Sequence, residues 1–149
     1  MKTINKHTTL PISLSQAWWK WTTNEGIQSF LAKDCKVELK RGGAFEIYFV
    51  PDAPEGSRGA EGCKVLSFLP EKMLTFSWNA PPTIPKIRAL GDVAWVVILF
   101  DKVDEAHTNI ELNHLGFGEG KEWDETYEYF QRAWGTVIEW LEESCVSRS

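Results

Sequence analysis

The order of hydrophobic periods along this chain predicts an α+β fold: a strand, two short helices, six further strands and one long closing helix (β-α-α-β6-α). Strands bunched together with helices segregated imply a curved antiparallel sheet of six or seven strands with helices on one face. Two observations carry the prediction. From Asp34 to His114 the apolar residues recur mainly with period two, and in the last third the period changes to 3.6, where Trp123, Tyr127, Phe130, Trp134, Val137, Ile138 and Leu141 recur at spacings of three and four. The second pattern is the stripe of a helix laid against an apolar surface.

The elements follow in order. Residues 2–10 alternate in polarity and read as an edge-like strand ended by Pro11. Ser13 is placed to cap a helix whose apolar side carries Leu14, Ala17, Trp18 and Trp21, and Asn24 to cap a second short helix over 24–31. Cys35, Val37 and Leu39 then alternate with Asp34, Lys36, Glu38 and Lys40; Arg41-Gly42-Gly43 turns the chain, and Phe45, Ile47 and Phe49 carry the return strand, with Glu46 and Tyr48 facing solvent. Residues 51–62 form a loop, strands over 62–69 and 73–78 meet at Pro70-Glu71, and 79–92, with Pro81, Pro82 and Pro85, form a second long loop. A hairpin of 93–100 and 108–114 leads through Gly116-Phe117-Gly118 into a helix over 121–144, about 36 Å long. The strand 93–100 is apolar on both faces, so its outer face needs cover or becomes an association surface.

Residues 1–149 read as one domain, of a size that folds without disulfides or metals. Cys35, Cys63 and Cys145 are odd in number and widely spaced, which suits free thiols in a reducing, cytoplasmic compartment. The first ten residues hold no long apolar core for a signal peptide, and the apolar run 93–100 is too short to span a bilayer. With a formal charge of −5 and scattered basic residues, nucleic acid is not an expected partner. Eight Trp and eight Phe are the compositional anomaly, and they fill a core or line a pocket.

No catalytic or cofactor motif is present. There is no Gly-x-Ser-x-Gly elbow and no cysteine in an activating context. His107 and His114 lie seven apart on one strand and so face opposite ways, and no cluster has metal-ligand spacing. Gly116-x-Gly118-x-Gly120 precedes a helix, but Glu119, Glu122, Asp124 and Glu125 would repel a phosphate and instead offset the helix dipole.

Several motifs together resemble a known family. They are Pro11 followed by Ala17-Trp18, Gly42-Gly43-x-Phe45, Glu61-Gly62 leading to Val65, Pro70-Glu71-Lys72-x-Leu74-x-Phe76-x-Trp78, and Leu112-x-His114-x-Gly116-Phe117 before a helix with Trp134 and Leu141. In that order they resemble the family named after the activator of heat-shock protein 90 ATPase, within the START and birch-pollen-allergen-like (SRPBCC) superfamily. The resemblance spans nearly the whole chain and implies a helix-grip fold, with the sheet wrapped around the long helix. One departure is Ala133, where such proteins often carry Gly before the closing-helix Trp; Gly135 follows instead, and close approach of the helix to a strand is its expected use.

The candidate site is a cavity between sheet and closing helix, lined by Phe45, Trp78, Trp95, His114, Tyr127, Phe130 and Trp134. Such side chains either surround a ligand or meet and fill the space. His114, in phase with Ile110 and Leu112, points inward; it either fixes the strand-to-helix turn by a hydrogen bond or anchors a ligand. The loops 51–62 and 79–92 would gate the cavity or be plain surface insertions. The leading expectation is a binding domain for a small, largely hydrophobic molecule. The resemblance implies, as alternatives, a co-chaperone-like or stress-response protein acting on a heat-shock protein 90 type ATPase, or a cyclase or hydratase using the same cavity. Monomer and homodimer are both open.

Overall fold

The computed structural model describes residues 2–146, with the element order β1 (Ile4–Leu10), α1 (Leu14–Thr22), α2 (Asn24–Gln28), β2 (Asp34–Val37), β3 (Phe45–Tyr48), β4 (Val65–Leu69), β5 (Met73–Ser77), α3 (Pro85–Arg88), β6 (Trp95–Asp104), β7 (His107–Leu115) and α4 (Lys121–Cys145). Seven strands and a long closing helix make the α+β helix-grip arrangement. Five strands form one antiparallel sheet in the order β1-β7-β6-β5-β4, which places β1 at an edge as its polarity pattern required. The β2–β3 hairpin continues beyond β4 through single bridges, Ala44 to Lys64 and Tyr48 to Gly59.

Alternation sets the inner face. Ile4 and Leu10 of β1, Phe45 and Ile47 of β3, Leu74 and Phe76 of β5, and Val96 and Ile98 of β6 are buried in one cluster. Ile110 and Leu112 of β7 join them, together with Phe130, Trp134, Val137, Ile138 and Leu141 of α4. The other face of β6 carries Trp95 and Val97 half-buried and Leu99 exposed.

Local chemistry explains where the elements begin and end, and departs from expectation at four points. Ser13 caps α1 within a capping box completed by Gln16, as its position suggested. The cap of α2, however, is Thr23, whose extended backbone aims Oγ1 at the Gly26 amide; Asn24 instead accepts from the amide of Val37 at 2.8 Å and holds β2. The 79–92 loop contains a turn of helix, α3, begun by Pro85, whose missing N–H costs nothing at a helix start. The β6–β7 ladder runs on to Asp104 and His107, through exposed polar residues that no apolar alternation marks.

The fourth departure concerns α4. Its buried line is Thr126, Phe130, Trp134, Val137, Ile138 and Leu141, with Trp123 and Tyr127 only half-buried. A Cβ placed on Gly135 would meet nothing within 4 Å, so this glycine does not serve a close approach to a strand. Exposed side-chain bonds join the helix to the N-terminal segment, Lys2, just before β1, to Asp124 at 2.9 Å near one end and Thr8 of β1 to Glu142 at 2.6 Å near the other.

Candidate functional site

A cleft of about 570 Å³ opens along one side of α4, within the roughly 300–1,000 Å³ common for small-molecule sites. Phe130, Ala133, Trp134, Val137 and Trp140 form its helical wall; spacings of three and four bring them onto one face. The facing wall is loop. Phe49 and Val50 leave β3, Ser57 to Ala60 return from the 51–62 loop, and Asn79 to Pro82 follow β5. Trp78 forms the floor, with its ring centroid 5.2 Å from that of Trp134 and 6.5 Å from that of Phe49.

The loop wall is held in place by identifiable bonds. The amide of Ala60 donates to Ile47 O at 2.8 Å and that of Val50 to Arg58 O at 3.0 Å, which extends the sheet beyond β3. Gly59, at φ +145°, permits this, since a Cβ there would lie 2.3 Å from Ile47 O. Arg88 of α3 ties the two loops together: its guanidinium donates to the carbonyls of Gly56 (2.9 Å), Gly59 (2.8 Å) and Ala80 (2.6 Å), and lies 3.5 Å from Glu61. Glu61 in turn accepts from the amides of Gly56 and Arg58, and those bonds together with nearby Arg88 hold its carboxyl below the usual range although partial burial opposes them. Tyr48 donates to Glu46, and burial with that bond pushes the phenol up to about 12. Glu46 also accepts from the Gly62 amide at 3.0 Å, so this half-buried pair braces the loop rather than simply facing solvent.

Behind Trp134 the molecule is closed. The indole Nε1 donates to His114 Nδ1 at 2.9 Å, so the neutral ring carries its proton on Nε2, which has no partner among the described residues. His114 is fully buried, with ring centroids of Phe117 and Phe130 at 4.7 and 4.8 Å, and burial lowers its pKa to about 3. It is an uncharged prop that fixes the tilt of the indole at the cleft wall.

Of the residues singled out from the sequence, Trp78, Phe130 and Trp134 line this cleft. Phe45 lies deeper, stacked on Phe76 at 3.9 Å and fully buried. Trp95 alternates with buried Val96 and lies on the outer face of β6, against the backbone at Gly116. Tyr127 packs edge-on to Phe117 at 5.4 Å, beneath the Lys2 ammonium, and accepts from Gln131. His114 stands behind Trp134. Phe49, Trp140, Pro81, Pro82 and three arginines join the cleft without having been singled out. The run Phe130, Ala133, Trp134, Val137, Trp140 is visible as a helical face in the sequence; the loop contributions come from 51–62 and 79–92, the two loops expected either to gate the cavity or to be surface insertions, in which no individual residue stood out as lining it.

Acid–base and nucleophilic chemistry find little here. Burial raises the thiols of Cys35 and Cys145, and that of Cys63 to about 12. Among the described residues no group of three or more His, Cys, Asp or Glu could hold a metal ion, and no helix is long and apolar enough to cross a membrane.

Residues 11–144 match the family model described as "Activator of Hsp90 ATPase homolog 1-like protein". Solved structures of similar fold include protein MLL2253 from Mesorhizobium loti (TM-score 0.73, 19% identity, 96% of each chain covered). The Aha1 dimer from Colwellia psychrerythraea superposes with TM-score 0.71 at 15% identity, over 97% of this chain and 96% of that one. PFC0360w, an HSP90 activator from Plasmodium falciparum, gives 0.66 at 17% identity, over 91% and 89%. At such identities the likeness establishes the fold. No curated protein matches the chain in sequence.

Proposed function

The chain belongs to the Activator of Hsp90 ATPase homolog 1-like family, and from that premise we propose that it is a binding domain for a small, largely hydrophobic molecule held between α4 and the loop wall. The observation that carries this reading is the aromatic cleft itself. Trp78, Phe130 and Trp134 leave about 570 Å³ unfilled opposite a wall in which Gly59, Ala60, Ala80 and Pro81 alternate with the larger Phe49, Val50, Arg58 and Arg88. Such a cleft offers apolar burial at roughly 25 cal/mol per Å² with rings held in place beforehand.

The test is binding of the neutral dye N-phenyl-1-naphthylamine, read by its fluorescence and by the melting temperature. Micromolar binding is expected in the wild type. Ala133→Trp, which fills the cleft, is expected to abolish binding while leaving the melting transition cooperative. Unchanged dye affinity in a folded Ala133→Trp protein would place the ligand elsewhere and remove the reading.

A second reading is favoured by the family match and by the Plasmodium falciparum relative, which is an HSP90 activator. On it the domain acts on a chaperone of that class, and its check is the chaperone's ATPase rate with and without this protein. A rate that stays constant at saturating protein rejects it.

A further inference from the structure

The cleft carries the opposite charge to the molecule around it. The chain has 21 acidic and 16 basic residues and a formal charge of −5. Yet the charged side chains that line the cleft are Arg58, Arg88 and Arg132, with no carboxylate among them. An acidic protein that surrounds an apolar cleft with guanidinium groups attracts anions to that place and repels them elsewhere.

The three arginines are not equivalent. Arg88 is consumed by its three carbonyls and by Glu61, and its work is to hold the wall. Arg58 uses only Nε, which donates to Ala53 O at 2.9 Å; its terminal nitrogens make no hydrogen bond among the described residues. Arg132 is exposed, and its guanidinium makes no hydrogen bond or ion pair among the described residues. Two carboxylates lie near enough to matter. Glu61 is turned to the amides of Gly56 and Arg58 and to Arg88, outside the cleft lining. Glu128, one turn before Arg132, forms no ion pair with it, and lines with Asp124 and Glu125 a neighbouring groove that Arg132 also borders, so Arg132 stands between that acidic groove and the cleft. Two guanidinium groups therefore keep terminal nitrogens without a hydrogen bond or ion pair among the described residues: Arg58 on the loop wall, whose charge also acts on nearby Glu61, and Arg132 on the helical wall.

We propose that the ligand is an amphipathic anion, with an aromatic or aliphatic body against Trp78, Trp134 and Trp140 and a carboxylate or sulfonate head received by Arg58 and Arg132. This deepens the hydrophobic-ligand reading and rests on it. The planar forks of arginine suit both head groups, since each offers paired N–H donors to paired oxygens. Because water reaches both side chains, the head contributes a several-fold gain, and the apolar body supplies most of the affinity.

The experiment compares two dyes that share an anilinonaphthalene body: 8-anilinonaphthalene-1-sulfonate, which is anionic, and N-phenyl-1-naphthylamine, which is neutral. Each is titrated into the wild type and into the double variant Arg58→Gln/Arg132→Gln, whose fold is checked by its melting temperature. Expected is a fall of at least five-fold in affinity for the sulfonate and less than two-fold for the neutral dye, with the difference shrinking in 0.5 M salt. An equal response of the two dyes, whether both keep or both lose affinity, overturns the anion proposal while leaving the cleft as a neutral binding site. Failure of both dyes to bind the wild type would remove the underlying reading and this one with it.

Discussion

The two sides of the Trp134 indole differ in what faces them. On one side lie His114 and Phe117, fully and largely buried, with ring centroids 4.7 Å apart. On the other lies a cleft of about 570 Å³. Both regions draw on the same aromatic stripe of α4, so aromatic content does not decide which one fills. The strand behind the indole sends a large side chain inward at every second residue, and these reach the helix. The loop wall in front is tied by Arg88 and includes Gly59, Ala60, Ala80 and Pro81, whose short side chains leave space between it and the helix beside the larger Phe49 and Val50. A void here is a property of the wall that faces the helix.

The comparison can be broken most sharply by truncation on each side. Phe45→Ala, in the filled region, is expected to cost about 3–5 kcal/mol of unfolding free energy. Trp140→Ala, on the cleft and 40% exposed, is expected to cost about 1 kcal/mol or less. Urea denaturation of both variants checks this, and similar costs would mean the two regions are packed alike.

Acid sharpens the contrast next. Burial holds His114 at about 3, against 6.5 in an unfolded chain. As the pH falls from 6.5 towards 3 the unfolded chain takes up a proton that the folded one refuses, so this contribution to stability is complete above 6.5 and is lost on acidification. Between pH 7 and pH 5 the loss amounts to about 2 kcal/mol. His114→Gln is expected to lose about that much less over the same interval. Identical pH slopes for variant and wild type would show that the histidine is not sealed.

The smallest effect belongs to Gly135. It sits inside α4 with open space where a Cβ would point. Gly135→Ala is therefore expected to stabilise by up to about 1 kcal/mol, seen as a raised melting temperature. A destabilised variant would reveal a close contact at this position.

The strands and the long helix were legible because their side chains follow simple periods: Ile110, Leu112 and His114 did turn inward, and Phe130 and Trp134 did share a face. Trp95 shows the limit of that signal, since its strand is apolar on both faces and register alone decides which way the indole points. The cleft was less legible for a different reason. Its far wall is assembled by Arg88 reaching carbonyls 29 and 32 positions away, and nothing near Gly56 or Gly59 in the chain announces that partner. Arg58 and Arg132 are unremarkable by position and acquire meaning only when the two walls face each other.

The manner in which the far wall is fastened has a mechanical consequence. Two loops and a turn of helix are tied by the Arg88 guanidinium and by Asn79, which donates to Glu61 O at 3.2 Å, while the opposite jamb, α4, is joined to Lys2 and to Thr8 of β1 near its two ends. On the proposed reading, adjustment to guests of different girth is expected of the loop panel rather than of the rod across from it.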